Sequence, residues 1–485
     1  MSYPPTGSAA PPAPAAPPGP DTTAPDTTTP ESTTPPPSSG ERAVWTDALR
    51  RLRAAMLTEP GRLRFIGAVL AALVVLFGAM TAWQVADRSA AADDVLGSSQ
   101  PLSRDAADIY RSLADADTTA AGGFLAGERE SADSRQRYKD DISTAARLLV
   151  RASANSRGSE TARDRIEQLN DGLPRYTGLV ETARMYNRQG LPVGGAYLQY
   201  ANNLMRTQLL PAAQELYDAE TARLDGDYED ARAWPWVALG AGVLALGALG
   251  WAQRRNYRRT NRVFNQGLLI ATTASVGVLL WMTAGHAFAR AGLDDSIEHG
   301  VKSLRVLNEA RIATLQARGD ENLTLVARGG KVTADQRDFY EVEYAAGMKT
   351  LAGDGQGAQG RAGGKLAEAL SLADDAEGRA PVREALANVR EWRARHAEAR
   401  AENDQGDYEG ALARVIGTDR PTKESFDKVD AALKKALRHE QTEFHDAARG
   451  GRHALDGLAV GAAALAVLAA AGAVLGIGRR LSEYR

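Results

Sequence analysis

Cysteine is absent from the chain, so no disulfide, thiolate nucleophile, cysteine-held zinc or thioether lipid anchor can be built from it. Histidine is scarce, at six residues: His286, His299, His396, His439, His445 and His453. None forms a His-Glu-x-x-His pair, and His439 and His445 lie six apart, a poor spacing for one helix face. No phosphate-binding loop, kinase signature or Gly-x-Ser-x-Gly elbow occurs, and the carboxylates are interspersed with arginines as on a solvated helix face. The expectation is a protein with no catalytic residues, no cofactor, no metal site and no enzymatic activity. Net charge is also nearly missing, at -3 over 485 residues, which gives no basic field for nucleic acid.

Large apolar side chains are missing from the first forty residues, MSYPPTGSAAPPAPAAPPGPDTTAPDTTTPESTTPPPSSG. Such text cannot bury enough surface to offset its ordering entropy, so residues 1–40 are expected to form a disordered Pro/Thr-rich tail. It lacks the short basic start and apolar run of a secretory signal. Thr22 and Thr23 are its candidate phosphorylation sites; Thr23 has Asp26 three residues on, a spacing that phosphothreonine-binding modules use. An unmodified flexible tail is the plainer alternative. WTDALRRLRAAM, within the basic segment 41–64, is a short amphipathic stretch suited to anionic lipid or a partner protein.

Four apolar runs are then present, each near the roughly 20 residues of helix that cross a bilayer: 65–85, 234–252, 267–288 and 455–477. Trp83, Trp234, Trp236 and Trp251 sit near their ends, as interface anchors do. Arg50, Arg51, Arg53, Arg62 and Arg64 precede the first run, and Arg479 and Arg480 follow the last. The loop between the second and third runs, 253–266, carries Arg254, Arg255, Arg258, Arg259 and Arg262 with no acid. By the excess of Lys and Arg in cytoplasmic loops, these three segments and both termini (the tail 478–485 included) face the cytoplasm of a multi-pass plasma-membrane protein. Residues 86–233 and 289–454 then lie outside. No span carries a central Asp, Glu, Lys or Arg, which disfavours a solute pathway. His286, near the outer end of the third run, fits interface snorkelling better than proton relay.

Both outer segments read as helix. Ala106, Ile109, Leu113, Ala116, Ala120 and Phe124 step by three and four, as do Phe426, Val429, Leu433, Leu437 and Phe444. Turn compositions near residues 130, 155 and 190 divide the first segment into four helices. The fold expected is all-α: four transmembrane helices and two tandem extracytoplasmic four-helix bundles.

The two segments share text. ARMYNRQGLPVG at 183–194 and ARAENDQGDYEG at 399–410 are identical at six of twelve positions. Earlier, ADADTTAAGGFLAGE aligns with ATLQARGDENLTLVARGG at an offset near 201, and Tyr340 follows Tyr138 at 202. The glycine-rich LAGDGQGAQGRAGGK in the second segment accounts for the offset's growth to 216. Tandem duplication explains this, and two adjacent bundles would form either an intramolecular pseudo-dimer or a unit that pairs with a second chain as a homodimer. The shared motif reads first as a helix C-terminus with Gly190 and Gly406 in the left-handed cap. In an up-down count it falls at the tip farthest from the membrane, so Arg184, Asn187, Gln189 and Gly190, with Arg400, Asn403, Gln405 and Gly406, are also candidates for docking an external partner or ligand. Inside the membrane, Gly472-x-x-x-Gly476 and Gly240, Gly242, Gly247 and Gly250 permit close helix approach.

The helix text IYRSLADADTTAAGGFLAG and YTGLVETARMYNRQGLPVGGAYLQYANNLMRTQLLPAAQELYDAE resembles the four-helix-bundle sensor domains of bacterial chemoreceptors and sensor kinases. Over residues 41–485 the layout resembles an actinobacterial four-span membrane protein of the glutamine-sensing group. That resemblance implies two partners besides membrane lipid: a glutamate/glutamine-binding lipoprotein outside and a soluble Ser/Thr protein kinase inside. The function expected is a transmembrane transducer of amino-acid availability. The rival is a non-sensing scaffold, or an accessory subunit of a transporter or cell-envelope complex, which the duplicated spans fit equally well.

Overall fold

The computed structural model describes residues 59–155, 159–260, 266–295, 300–354 and 363–482. Residues from Leu63 onward fold as one unit of helices and connecting turns, with an isolated bridge between Val332 and Asp338 and no strand among the described residues.

Helix α1 (Glu59–Asp94) contains the first apolar run and continues through a wide π turn (Val95–Ser99) into α2 (Gln100–Ala126). The turn has a covalent cause. Pro101 has no N–H and its ring would crowd the carbonyl of Gly97, so the helix widens there instead of breaking. Helices α3 (Ala132–Asn155), α4 (Glu160–Arg188) and α5 (Val193–Leu204) follow, with ends at the turn compositions read from the sequence. A second π turn (Met205–Leu209), with Pro211 just beyond, leads into α6 (Leu210–Arg232). This rod continues, after a short break at residues 233–235, as α7 (Trp236–Thr260). Helix α8 (Gln266–Asp295) begins the second half. Gly300 and Val301 again form wide turns before α9 (Lys302–Ala327).

The second half is more interrupted. Its second helix comes in two pieces, α10 (Phe339–Ala352) and α11 (Gly364–Leu372), flanking the glycine-rich segment, of which residues 355–362 lie outside the described set. After α12 (Ala376–Asp404), the fourth helix is split into α13 (Tyr408–Ile416) and α14 (Thr422–Asp456), and α15 (Leu458–Ser482) is the last element among the described residues.

Helical rods over Arg64–Arg129, Val193–Arg258 and Gln266–Asp294 are long and apolar enough to cross a membrane; the fourth apolar stretch, Val460–Leu475, is shorter. At 1.5 Å per residue the first rod extends roughly 100 Å, far beyond a bilayer. Around these runs large apolar side chains face outward, among them Leu76, Trp83, Leu244, Trp281, Phe288 and Val467. A belt of that size exposed to water would be costly, whereas lipid solvates it. Within the belt α15 and α8 approach closely: a Cβ on Gly472 would meet the backbone of Gly267 and Ala271 at 3.1 Å. Of the four glycines singled out in the second run, only Gly242 is at a helix contact, against Leu279 and Phe77; Gly240, Gly247 and Gly250 have open space beside them.

The segment read as a loop at 253–266 begins as helix, since α7 runs to Thr260. Nothing in QRRNYRR stops a helix, and arginine is a good helix former.

Beyond the apolar runs the two halves share one core. The stripe Ala106, Ile109, Leu113, Ala116 and Ala120 is buried, and the same continuous cluster takes in Leu149, Leu169, Tyr176 and Leu216 of the first half and Leu315, Tyr340, Val389, Trp392 and Leu433 of the second. The halves meet along α2 and α9, which run in the same direction in register. Gln316 donates to the Tyr110 hydroxyl at 3.0 Å, Thr118 to the Leu315 carbonyl at 2.8 Å, and Asn322 to the Thr118 carbonyl at 3.3 Å. Gly319 faces Thr118, so positions matched at the 201 offset touch each other.

Where the apolar runs meet the bundles a second cluster joins α1, α6, α8, α14 and α15 through Ala92, Val95, Tyr228, Leu293, Phe444 and Leu458. Ion pairs ring it: Arg452 with Asp93, and Arg232 and Arg290 with Asp294 at 3.5 and 3.4 Å. His286 is buried here with its ring 5.2 Å from that of Trp234, rather than extended to the surface.

Candidate functional site

Three places bear on function: the tips with the shared motif, the polar seam between the halves, and the arginines at the other membrane face.

At the tips, both copies of the motif end their helix in the same way. Leu191 N–H bonds to the Tyr186 carbonyl and Gly190 N–H to that of Asn187, while Asp407 and Gly406 bond to Glu402 and Asn403, all at 3.0 Å. Gly190 and Gly406 have φ of +68° and +83°, the left-handed conformation that closes this cap without a Cβ penalty. The first tip lies beside the turn at residues 127–130: Asn187 donates to the Phe124 carbonyl at 2.7 Å, and Arg184 pairs with Glu130 at 3.2 Å and Glu181 at 2.8 Å.

Arg184 is therefore a correction to the docking set. It is 8% exposed, stacked 4.2 Å over the Tyr138 ring, because its ion pairs and that ring hold it inside the bundle. Gln189, Gly190, Gln405 and Gly406 are exposed, and Asn187, Asn403 and Arg400 half-buried. Arg400 pairs with Asp404 at 2.8 Å and Glu341 at 3.4 Å. The two tips converge through a small apolar cluster of Leu125, Leu325, Ala399, Ala411, Leu412 and Val415.

The polar seam was not anticipated from the sequence. Asp117, fully inside, accepts from Tyr176 at 3.1 Å and Asn202 at 2.7 Å; burial raises its pKa against the pull of those two bonds. Arg206, from the π turn of the first half, crosses to pair with Asp320 and Glu343 of the second. Burial pushes Asp320 up to about 7, with Arg206 opposing. These groups border a cavity of about 430 Å³ between α2, α9 and α10.

The core of the second bundle holds a charged cluster. Glu321 accepts from Arg318, Thr422, the Trp392 indole and His396, whose other ring nitrogen faces Glu341 at 3.2 Å. Burial alone would drive Glu321 up, but Arg318 and the hydrogen bonds hold it below the ordinary glutamate range. Burial likewise works against a charged His396, yet the Glu321 and Glu341 bonds raise it to about 9. The sequence signal was acid and arginine in mid-helix, ADAD at 114–117 and RGDEN at 318–322, strings that overlap at the 201 offset only at Asp117 and Arg318 and that by composition alone suit a solvated face.

At the opposite face, Arg254 and Arg258 are exposed on α7, and the Arg255 guanidinium lies 5.3 Å from the centre of the Trp251 ring. The Arg259 side chain, Arg262, Thr22 and Thr23 fall outside the described residues. Among the described residues one grouping has metal-ligand spacing: Asp375, His439 and Glu443, within 4.8 Å of one another. Asp375 is already used there as the cap of α12, accepting from Gly378 N–H at 2.6 Å.

Residues 91–229 match the family model described as an actinobacterial sensor domain. That segment supports a sensing role. It begins in the last turn of α1 and ends in the last turn of α6, so it comprises the helical bundle of the first half. Neither a curated protein nor a solved structure matches the chain.

Proposed function

We propose that this is a plasma-membrane signal transducer without enzymatic activity, whose outer bundles sense an extracytoplasmic stimulus and relay it to a cytosolic Ser/Thr kinase. The observation that carries the reading is that the sensor-domain match lies on helices continuous with membrane-length apolar rods at both of its ends. The stimulus proposed is amino-acid availability, delivered by a solute-binding lipoprotein that docks on the exposed tip residues Gln189, Gly190, Gln405 and Gly406. Both termini and the arginine segment 253–266 lie in the cytoplasm, where Arg254, Arg255, Arg258, Arg259 and Arg262 engage the kinase and Thr22 and Thr23 accept phosphate. The matched text at 201–216 offsets and the in-register α2–α9 contact support reading the outer bundles as duplicated modules that form a pseudo-dimer. A stimulus moves the helices only by binding one of two arrangements better.

The test is affinity capture of the full-length protein from its own cells in gentle detergent, with identification of partners and mapping of phosphothreonines. Recovery of a solute-binding lipoprotein and a Ser/Thr kinase is expected. Recovery of transporter or envelope subunits without a kinase would transfer the assignment to the scaffold.

A further inference from the structure

Between α2 and α6 of the first half and α9 and α14 of the second lies a cleft of about 310 Å³. It is lined by six cations: Arg104 and Arg111 from α2, Arg305 and Arg311 from α9, and Lys434 and Arg438 from α14. Asp108 is the one carboxylate in the lining.

The local pairing leaves this charge unbalanced. Asp108 serves both Arg111 at 3.0 Å and Arg104 at 4.0 Å. Asp430 serves both Arg311 at 2.7 Å and Lys434 at 2.6 Å, and Asp225 faces Arg305 at 3.3 Å. Asp115 also interacts with Arg311 and Lys434, Asp141 with Arg111 and Asp105 with Arg104, but burial raises the pKa of all three and so opposes their charge. Arg311 supplies a second, independent sign. Its side chain is 5% exposed, it uses Nε on Asp430, and its Nη2 is buried without a hydrogen-bond partner. Buried guanidinium N–H groups are rarely left unanswered, because their desolvation is then uncompensated.

We propose that this cleft binds a small dicarboxylate and so clasps the two halves of the outer module together. Guanidinium forks match carboxylates in a bidentate way, and they stand here on separate walls, as two anionic ends require. Val301, Leu304 and Leu437 line the same cleft, which suits a short carbon spacer better than a single inorganic oxyanion. Membrane lipid is not the source of the anion. Counting along the helices from Val85 to Ser103 and from Gln441 to Leu458 places the cleft about 25 Å beyond the apolar runs, past the headgroup layer. The site deepens the sensing reading, since a ligand held by both halves acts on their relative position, but its occupancy is measured without reference to signalling.

The experiment is calorimetric titration of the full-length protein in nanodiscs at low ionic strength with succinate, inorganic phosphate and neutral succinamide. Saturable succinate binding with Kd below about 1 mM is expected, at least about tenfold tighter than phosphate and with no succinamide signal. The double variant Arg104→Gln/Arg438→Gln removes two exposed cations without breaking a buried pair, so it keeps the fold; it should weaken succinate at least about tenfold. Arg311→Gln should abolish binding. Absence of saturable succinate binding, preference for phosphate, or unchanged affinity in the double variant would overturn the proposal. A chain that binds succinate but captures no kinase would retain the site and remove the transducer reading.

Discussion

Around Asp117 in the first half and Glu321 in the second, the two bundles bury polar groups in opposite ways. The first gathers uncharged donors, Tyr176 and Asn202, on one carboxyl, Asp117, and contains no histidine. The second centres on charge, with Glu321 held between Arg318 and His396. Their fourth helices differ in the same sense. The first is carried past Pro211 by a π turn, whereas the second breaks at residues 417–421, where Arg420 adopts φ of +47° and its guanidinium reaches Glu391 at 2.7 Å. The first half therefore has a more uniform rod and the second a charge-pinned, interrupted one. Charge pinned in a core is stable only while every partner is present.

That contrast can be broken by mutation. Glu321→Ala strands Arg318 and His396 and should cost about 3–5 kcal/mol, whereas Asp117→Ala should cost about 1–3 kcal/mol. Hydrogen exchange resolved by half would show the loss, and equal costs would refute the distinction. A pH series sharpens it further. His396 has its pKa raised from 6.5 to about 9, so its contribution is fully present below 6.5 and is lost as pH rises through about 9. In the first bundle, burial lifts Asp141 to about 7, a penalty that develops as pH rises from the ordinary aspartate range and is complete by about 8. Between pH 8 and 9.5 exchange protection should therefore fall in α12 and α14 and hold in α3 and α4.

Smaller effects separate the tips. Asn187→Ala removes a side-chain bond to the Phe124 carbonyl and should cost about 1 kcal/mol. The Asn403 side chain has no such bond among the described residues, so Asn403→Ala should stay within about 0.5 kcal/mol by thermal melting. Gly190→Ala and Gly406→Ala should cost about 1 kcal/mol each, alike in both halves, because both caps are left-handed.

What the sequence revealed was what periodicity and punctuation encode. The stripe from Ala106 to Ala120, the breaks near residues 130, 155 and 190, and the left-handed glycines follow from one-dimensional rules that hold locally. The seam was not legible for a physical reason. Asp117, Arg206, Asp320 and Glu321 have the residue types of an exposed face, and only the packing of α2 against α4 and α5, of the 205–209 turn against α9 and α10, and of α12 against α9 gives them their partners. Arg184 misled in the same way: a long cation at a helix end reads as surface, and Glu130, distant in sequence, draws it inside. The reach of α7 beyond the apolar run to Thr260 was missed because charge marks where a membrane ends, not where a helix does.

The central structural claim is that the two bundles pair within one chain along α2 and α9. The absence of native cysteine permits a clean test, oxidation of Thr118→Cys/Gly319→Cys in membranes followed by peptide mapping. The account predicts an intrachain disulfide joining 118 and 319 with the mobility of a single chain. A crosslink formed only between two chains would contradict it.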